Sequence, residues 1–324
     1  MEYFLKDAGV KGACEFSRLA ASTSNEIVLN IEGARNYSPF SFLLMAKAAE
    51  RYLAKEGSSF QLETDLEDAY EFADGIGFLR ATTLSKTVEE REGYFPISKI
   101  DIGARQKEEA EKGEFYESGE MVEKISKEVS SRLLKGEAAR LVAYLIREAA
   151  RNAPEHGLTK LVDLCVKVEG NTVEFAVADE GIGVFESLVS SYAHKQYITE
   201  NAEALRWATK PGISKSFHPA FGQKSRDVWA NSGFGLYMIS AICNDLGGEF
   251  YLASSGDCLI KKDGIVEVVK ANVKGTIVGV KIVLPADLNA QKAIDVARKK
   301  GEEEAKTIKN AFKEASVPSK KLLD

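Results

Sequence analysis

Residues 147–157 read REAARNAPEHG, and the other motifs of the chain are arranged around this stretch. Apolar residues recur at helical spacing before it, so we expect a helix that places Glu148 and Asn152 on one face. An amide oxygen can ligate a hard cation such as Mg2+, and a carboxylate beside it can orient a water molecule. Pro154 cannot continue the hydrogen-bond ladder, so the helix should end there. The pair alone would also suit an ordinary solvated helix.

Three glycine-containing stretches follow this helix in a fixed order. They read Asp179-Glu180-Gly181-Ile182-Gly183, Ser232-Gly233-Phe234-Gly235-Leu236 and Lys274-Gly275-Thr276. With the Glu148/Asn152 pair in front of them, they resemble the N, G1, G2 and G3 boxes of the ATP-binding superfamily that contains gyrase, the Hsp90 chaperones, histidine kinases and MutL. The resemblance covers residues 122–285. It implies an α+β fold, a two-layer α/β sandwich of the Bergerat type, with ATP and Mg2+ as cofactors.

Two of the stretches are expected to hold the base of the nucleotide. Alternating strands over 161–168 and 172–178, joined by a hairpin at Gly170-Asn171, deliver Asp179 to a strand end. By resemblance, Asp179 accepts a hydrogen bond from the adenine amino group, and Thr276 contacts the adenine directly or through water. An ionised carboxylate can only accept hydrogen bonds, so guanine, which presents an acceptor at that position, should be rejected.

The phosphates and the metal are expected at two helix ends. Glycines at the start of an apolar helix over 233–246 leave backbone N–H groups available to an anion. By resemblance, Glu148 is the catalytic carboxylate and Asn152 ligates Mg2+. The other residues that the resemblance places at the nucleotide are Gly181, Gly183, Gly233, Phe234, Gly235 and Leu236.

A long irregular stretch over 209–231 separates these motifs and contains two prolines and two glycines. By resemblance it is the ATP lid. Its cations are candidates to fold over the triphosphate, although they would equally suit a solvated loop surface. These cations are Lys210, Lys215, Lys224 and Arg226. Trp207 and Trp229 flank the lid and are natural optical probes of its closure.

The composition is that of an ordinary globular protein. The chain has 324 residues, 44% of them hydrophobic, and a formal net charge of -6, which disfavours nucleic acid as the main partner. Its four cysteines lack Cys-x-x-Cys spacing, so neither a zinc site nor a disulfide framework is indicated. No apolar run is long enough to span a membrane, and the N-terminus does not read as a signal peptide. We therefore expect a cytoplasmic protein.

The N-terminal part is expected to alternate strands and helices. Strands are predicted over 25–31 and 58–63, with a turn at Glu32-Gly33, and helices over 39–54 and 66–78. The order, with Pro39-Phe40 opening the first helix and ADGIGFL over 73–79 closing the second, resembles the STAS-like domains related to anti-sigma-factor antagonists. That family implies Ser38 or Ser41 as a phosphorylation site. The simpler interpretation is that Ser38 caps the helix.

Composition shifts give the domain organisation. We expect a STAS-like α/β domain over 1–104, a charged linker over 105–118, the ATP-binding domain over 119–286, and a charged C-terminal region over 287–324. The last region is predicted to be one long helix over 288–315 that caps the domain.

Three classes of function fit these features. The three histidines, His156, His194 and His218, all lie inside the ATP-binding region, so autophosphorylation on an N-terminal histidine is not expected. Glu155 stands where many histidine kinases have a basic residue, which also disfavours that class. The remaining classes are a slow Mg-ATP hydrolase, a serine/threonine protein kinase of the anti-sigma-factor type, and a nucleotide-gated regulatory or defence module. We expect ATP binding with slow hydrolysis and a protein partner or a homodimer.

Overall fold

Two separate β-sheets organise the chain. The computed structural model describes residues 2–4, 9–23, 26–31, 37–64, 67–87, 90–191, 193–217, 232–320 and 322. The first sheet has three parallel strands, and the second has seven antiparallel strands. The α+β class expected from the sequence is confirmed.

The smaller sheet belongs to the N-terminal part, where strands and helices alternate. Its elements are β1 (Glu2–Phe4), α1 (Val10–Ser22), β2 (Ile27–Asn30), α2 (Pro39–Leu53), β3 (Phe60–Glu63), α3 (Glu67–Gly75) and α4 (Phe78–Ala81). The strands pair in the order β1-β2-β3, and they are parallel because a helix returns the chain to the same edge each time. The predicted order is confirmed from β2 to α3, whereas the prediction lacks β1 and α1. The turn predicted at Glu32-Gly33 lies outside the described residues.

Ser38 begins α2 in the way that its sequence predicts. Its backbone is extended, and its Oγ accepts a hydrogen bond of 3.1 Å from the backbone N–H of Ser41. Pro39 occupies the first helical position, where its missing N–H costs nothing. Ser41 is fully buried and shares a hydrogen bond of 2.8 Å with the Ser38 hydroxyl. The interpretation of Ser38 as a helix cap is confirmed, and phosphorylation of this pair would require α2 to leave its packing.

The larger sheet is entirely antiparallel. Its strands are β4 (Tyr94–Asp101), β5 (Leu161–Glu169), β6 (Thr172–Asp179), β7 (Glu249–Ser254), β8 (Asp257–Lys262), β9 (Ile265–Lys270) and β10 (Thr276–Val283). They lie in the order β4-β5-β6-β10-β7-β8-β9. The predicted β5-β6 hairpin is confirmed, and it brings the end of β6 opposite the start of β10, where Asp179 pairs with Thr276. The sequence predicts strands over 249–253, 265–269 and 276–284, which correspond to β7, β9 and β10, and it does not predict β8.

In the described part of the chain, eight further α-helices accompany this sheet. They are α5 (Ile102–Glu111), α6 (Ser118–Leu133), α7 (Gly136–Asn152), α8 (Gly183–Val189), α9 (Asn201–Ala208), α10 (Gly235–Asp245), α11 (Ala290–Thr307) and α12 (Val317–Lys320). The boundary predicted at residue 104 falls inside α5, and β4 pairs with β5 in the larger sheet. The long helix predicted over 288–315 ends earlier, since α11 stops at Thr307 and the chain then turns back toward α7.

Helices cover both faces of the larger sheet. Phe175 and Val177 belong to the core that includes α6, α7, α10 and α11, whereas Ala176 and Ala178 belong to the core that includes α1 and α2. This alternation follows from the two-residue period of a strand. A Cβ atom at Gly279 of β10 would overlap the Phe40 ring, so α2 lies directly against the sheet. The expected two-layer sandwich therefore carries a third layer, formed by the N-terminal part.

Within the described residues, α11 is the longest helix at 18 residues. Neither it nor any other helix in those ranges is long and apolar enough to cross a bilayer.

Candidate functional site

The end of α7 carries the residues around which the site is built. Residues 141–151 of α7 are all buried, so this helix crosses the core and delivers Glu148 and Asn152 to its far end. The α-helix ends at Asn152, and a π-helical turn over Ala153–Gly157 follows it. Pro154 has no N–H to donate, which accounts for the change of helical type at this point. The turn carries His156 and Gly157 to the same place.

A cavity of about 70 Å³ lies at this helix end. Eight residues expected at the site line it, namely Glu148, Asn152, Gly183, Gly233, Phe234, Gly235, Leu236 and Thr276. These residues come from α7, from the loops that begin α8 and α10, and from the start of β10. The motifs picked out from the sequence therefore converge on one place. Arg151, Glu155, His156, Ser214, Ser316 and Ser319 also line the cavity, and the sequence did not single them out as site residues.

Glu148 is a buried carboxylate with two different partners. Its Oε1 accepts hydrogen bonds from Nε and Nη2 of Arg147, at 3.1 and 2.7 Å. Its Oε2 accepts a hydrogen bond of 3.0 Å from the hydroxyl of Ser319. A buried carboxylate needs such partners, because leaving it uncompensated is costly. A Cβ atom at Gly235 would lie 3.1 Å from Oε2. Because glycine has no side chain, α10 can begin directly against the carboxylate.

Asn152 is oriented by its own helix. Its Nδ2 donates to the carbonyl oxygens of Glu148 and Ala149, at 3.0 and 3.1 Å. Oδ1, the remaining polar atom, accepts no hydrogen bond from the described part of the chain, and the residue lines the cavity. An amide oxygen suits Mg2+, which is often held by one or two protein oxygens together with substrate phosphates. In the described ranges, no group of three or more His, Cys, Asp or Glu side chains is arranged to hold a metal ion.

Asp179 lies behind the wall of the cavity. It is buried, and its Oδ1 accepts a hydrogen bond of 2.8 Å from the backbone N–H of Gly181. A Cβ atom at Gly157 would lie 3.0 Å from this oxygen, so Gly157 gives Asp179 access toward the cavity. Burial raises the pKa of Asp179 to about 6, although hydrogen bonds from the backbone of Gly181 and Thr276 oppose this shift.

Two glycines allow the backbone to come close at the rim. Gly183 has a φ of +80°, and its neighbour Val184 donates a backbone hydrogen bond of 3.0 Å to Ser254 Oγ. Gly233 has a φ of +69°, and a Cβ atom there would overlap the carbonyl of Ile213. Positive φ values are readily adopted only by glycine. Gly181 contributes through its backbone N–H and does not line the cavity.

The start of α10 fits an anion. This helix has 11 residues, and its N-cap is Phe234, which has no side-chain oxygen to bond the first N–H groups. The backbone from Gly233 to Leu236 lines the cavity, so these groups and the positive end of the helix dipole lie at its edge.

Lys210 and Lys215, two of the cations predicted to fold over a triphosphate, do not line the cavity. Lys210 Nζ lies 4.5 Å from the centroid of the Trp207 ring, and Lys215 Nζ donates to the carbonyl of His156 at 3.2 Å. Lys224, Arg226 and Trp229 lie outside the described residues. Arg151 lines the cavity, and its Nε donates to Glu155 Oε1 at 2.7 Å.

An ion cluster links the N-terminal layer to the loop after Asp179. Lys47 of α2 is buried, and its Nζ lies 3.0 Å from Asp163 Oδ2 and 2.8 Å from Glu180 Oε1. Burial opposes the charge of Lys47, but the carboxylates raise its pKa above the usual range. Burial likewise opposes the charge of Glu180, but hydrogen bonds from Lys47 and Lys274 hold its pKa at about 2. A residue of the first layer thus positions the residue next to Asp179.

No known protein family and no curated protein matches the sequence of this chain significantly.

Proposed function

We propose that this chain binds Mg-ATP at the cavity and hydrolyses it slowly, and that closure of the lid is coupled to the control of a protein partner or a second copy. The observation that carries the proposal is the shared cavity of Glu148, Asn152, the start of α10 and Thr276. The proposal includes the Bergerat-type ATP-binding fold, the STAS-like N-terminal unit and a location in the cytoplasm. The four free, buried cysteines fit a reducing compartment.

The base would be held at the strand ends. At neutral pH Asp179 is mainly ionised, because its pKa is about 6. Its carboxylate would then accept a hydrogen bond from the adenine amino group, with Thr276 beside it in the sheet. Guanine would place an oxygen against this carboxylate. We expect discrimination of roughly 1 to 3 kcal/mol from that mismatch.

The phosphates would lie between α7 and α10. Backbone N–H groups at the start of α10 would bind their oxygens, and Asn152 Oδ1 would hold Mg2+. Bound Mg2+ neutralises charge on the phosphate oxygens. Glu148 would orient the attacking water molecule and receive its proton. Arg147 holds Oε1 of this carboxylate, and Oε2 accepts the hydroxyl of Ser319, so a water molecule would reach Oε2 only after Ser319 has moved away.

The cavity has to open before a nucleotide can enter. Its volume of about 70 Å³ has room for a few water molecules, whereas pockets for small molecules have roughly 300 to 1,000 Å³. Residues 316–320, here called the C-terminal segment, contribute Ser316 and Ser319 to the wall. Displacement of this segment or of the loop around Ser214 would enlarge the site.

Titration with nucleotides tests the proposal. Mg-ATP and Mg-GTP are added to the full chain while heat or tryptophan emission is recorded, and phosphate release is measured in parallel. We expect ATP to bind, GTP to bind more weakly by about fivefold or more, and phosphate to appear slowly. A chain that binds neither nucleotide would refute the proposal.

A further inference from the structure

The C-terminal segment presents a serine hydroxyl to the carboxylate proposed as the general base. Ser319 Oγ donates to Glu148 Oε2 at 3.0 Å. Ser319 is 3% exposed and lines the cavity that Asn152 and Gly235 also line. A general base must lie within hydrogen-bond reach of the proton that it removes, and this pair meets that condition.

Two side chains of α7 hold the segment on either side of this hydroxyl. Tyr144 Oη donates to the carbonyl of Ser319 at 3.0 Å, and Arg147 Nη2 donates to the carbonyl of Pro318 at 2.6 Å. Both donors are buried. The same Arg147 also binds Oε1 of Glu148, so one guanidinium positions both the acceptor segment and the carboxylate.

We propose that Ser319 is a phosphoacceptor and that this chain phosphorylates itself there. The inference rests on the proposed function, because it takes the nucleoside triphosphate from the same cavity. Ser319 lines the cavity, so a γ-phosphoryl group brought into it would come close to this residue.

The transfer balances with the groups present and the nucleotide. Ser319 Oγ attacks the γ-phosphorus, and the new bond joins these two atoms. The bond from the γ-phosphorus to the oxygen that bridges to the β-phosphate breaks, and the nucleoside diphosphate leaves with that electron pair. The hydroxyl proton passes to Glu148 Oε2, to which it already points.

The position of Ser319 decides between transfer and hydrolysis. Its hydroxyl occupies the place on Oε2 that an attacking water molecule would take. The other serine of the segment, Ser316, donates to Ser319 Oγ at 3.3 Å and has no hydrogen bond to Glu148. The acceptor is therefore Ser319. Once Glu148 has released the proton it received, its carboxylate and the phosphate on Ser319 would repel each other, so the modified segment should leave the wall and open the cavity.

Labelling with γ-labelled ATP and Mg2+ tests this inference on the full chain. We expect one phosphate per chain by intact mass, mapped to Ser319, at a rate that does not depend on protein concentration. Ser319→Ala should lose the label, still bind ATP and release phosphate to water. Ser319→Thr retains a hydroxyl and should be labelled at the same position. Ser131→Ala, which changes an exposed serine on α6, should be labelled like the unmodified chain.

The outcomes separate this inference from the proposed function. ATP binding and phosphate release without label at Ser319 would overturn the inference and leave the proposed function intact. Label at another residue, or unchanged label in Ser319→Ala, would also overturn it. A chain that fails to bind ATP at all would overturn both.

Discussion

At the scale of single residues, Asp179 is the position on which nucleotide choice depends. Replacing Asp179 with Asn exchanges a carboxylate that only accepts hydrogen bonds for an amide that also donates them. We expect ATP affinity to fall by about 10- to 100-fold, which corresponds to the roughly 1 to 3 kcal/mol of an unmade buried hydrogen bond. The affinity for GTP should fall by a smaller factor. Titration of both nucleotides measures this, and unchanged ATP affinity would remove the adenine role of Asp179.

The raised pKa of Asp179 gives a second prediction, for pH. Burial brings this pKa to about 6, so acidification through that pH protonates the carboxyl in the free protein. The protonated group can no longer serve as an ionised acceptor, and ATP affinity should therefore fall below pH 6. Asp179→Asn has no such carboxyl. The ratio of the ATP affinity of the unmodified chain to that of Asp179→Asn should shrink as the pH decreases. A ratio that stays constant would contradict the role of Asp179 as the adenine acceptor.

Glu148 can be tested without emptying its place in the core. Glu148→Gln keeps the shape and still accepts a hydrogen bond from Arg147, whereas Ala would leave a buried guanidinium without its partner. We expect ATP binding within a few-fold of the unmodified chain and phosphate release reduced by about 100-fold or more, because the amide cannot take the proton. Measurement of phosphate release at saturating ATP decides this. Persistent turnover would assign the base to another residue.

At the scale of elements, local signals were sufficient for part of the site. Glu148 and Asn152 were found because their four-residue spacing and the apolar period of α7 both lie within one helix. Ser319 was missed because its partner Glu148 is 171 residues away, and no local pattern marks such a contact. The strand β8, reading DCLIKK, was missed because its charged end hides the alternation. Long-range packing decides these elements.

The C-terminal segment gives the prediction at this scale. A chain that ends at residue 315 loses the hydroxyl and the backbone carbonyls that bind Glu148, Arg147 and Tyr144. We expect ATP to bind faster and more tightly. The ATP affinity should rise by about tenfold for each 1.4 kcal/mol by which the segment stabilises the closed cavity. The melting temperature should decrease, since two buried donors lose their acceptors. ATP binding that remains unchanged in a folded, shortened chain would show that the segment does not close the site.

At the scale of the whole molecule, the N-terminal part and the larger sheet share one core. Phe40 lies against Gly279, and Arg51 Nη1 donates to Asn272 Oδ1 at 3.1 Å. The composition shift near residue 104 suggested separate domains, but composition does not report which face of a sheet is covered. The apolar residues of α2 require a partner surface, and the small residues on the second face of the sheet supply it. The first layer therefore contacts the larger sheet directly.

Lys47 provides the test of that connection. Lys47→Met removes the buried cation that faces Asp163 and Glu180, and it leaves their carboxylates without this partner. We expect a loss of about 3 to 5 kcal/mol of stability and weaker ATP binding, because Glu180 adjoins Asp179.

The matched control is Lys11→Met, since Lys11 of α1 pairs at 2.9 Å with Glu267 of β9 but both side chains are exposed. That change should cost at most about 1 kcal/mol and leave ATP affinity intact. Urea unfolding and ATP titration of both variants separate the two effects, because an affinity loss measured on protein that is still folded does not come from unfolding. Equal ATP affinity in the two variants would mean that the first layer supports the sheet without influencing the site.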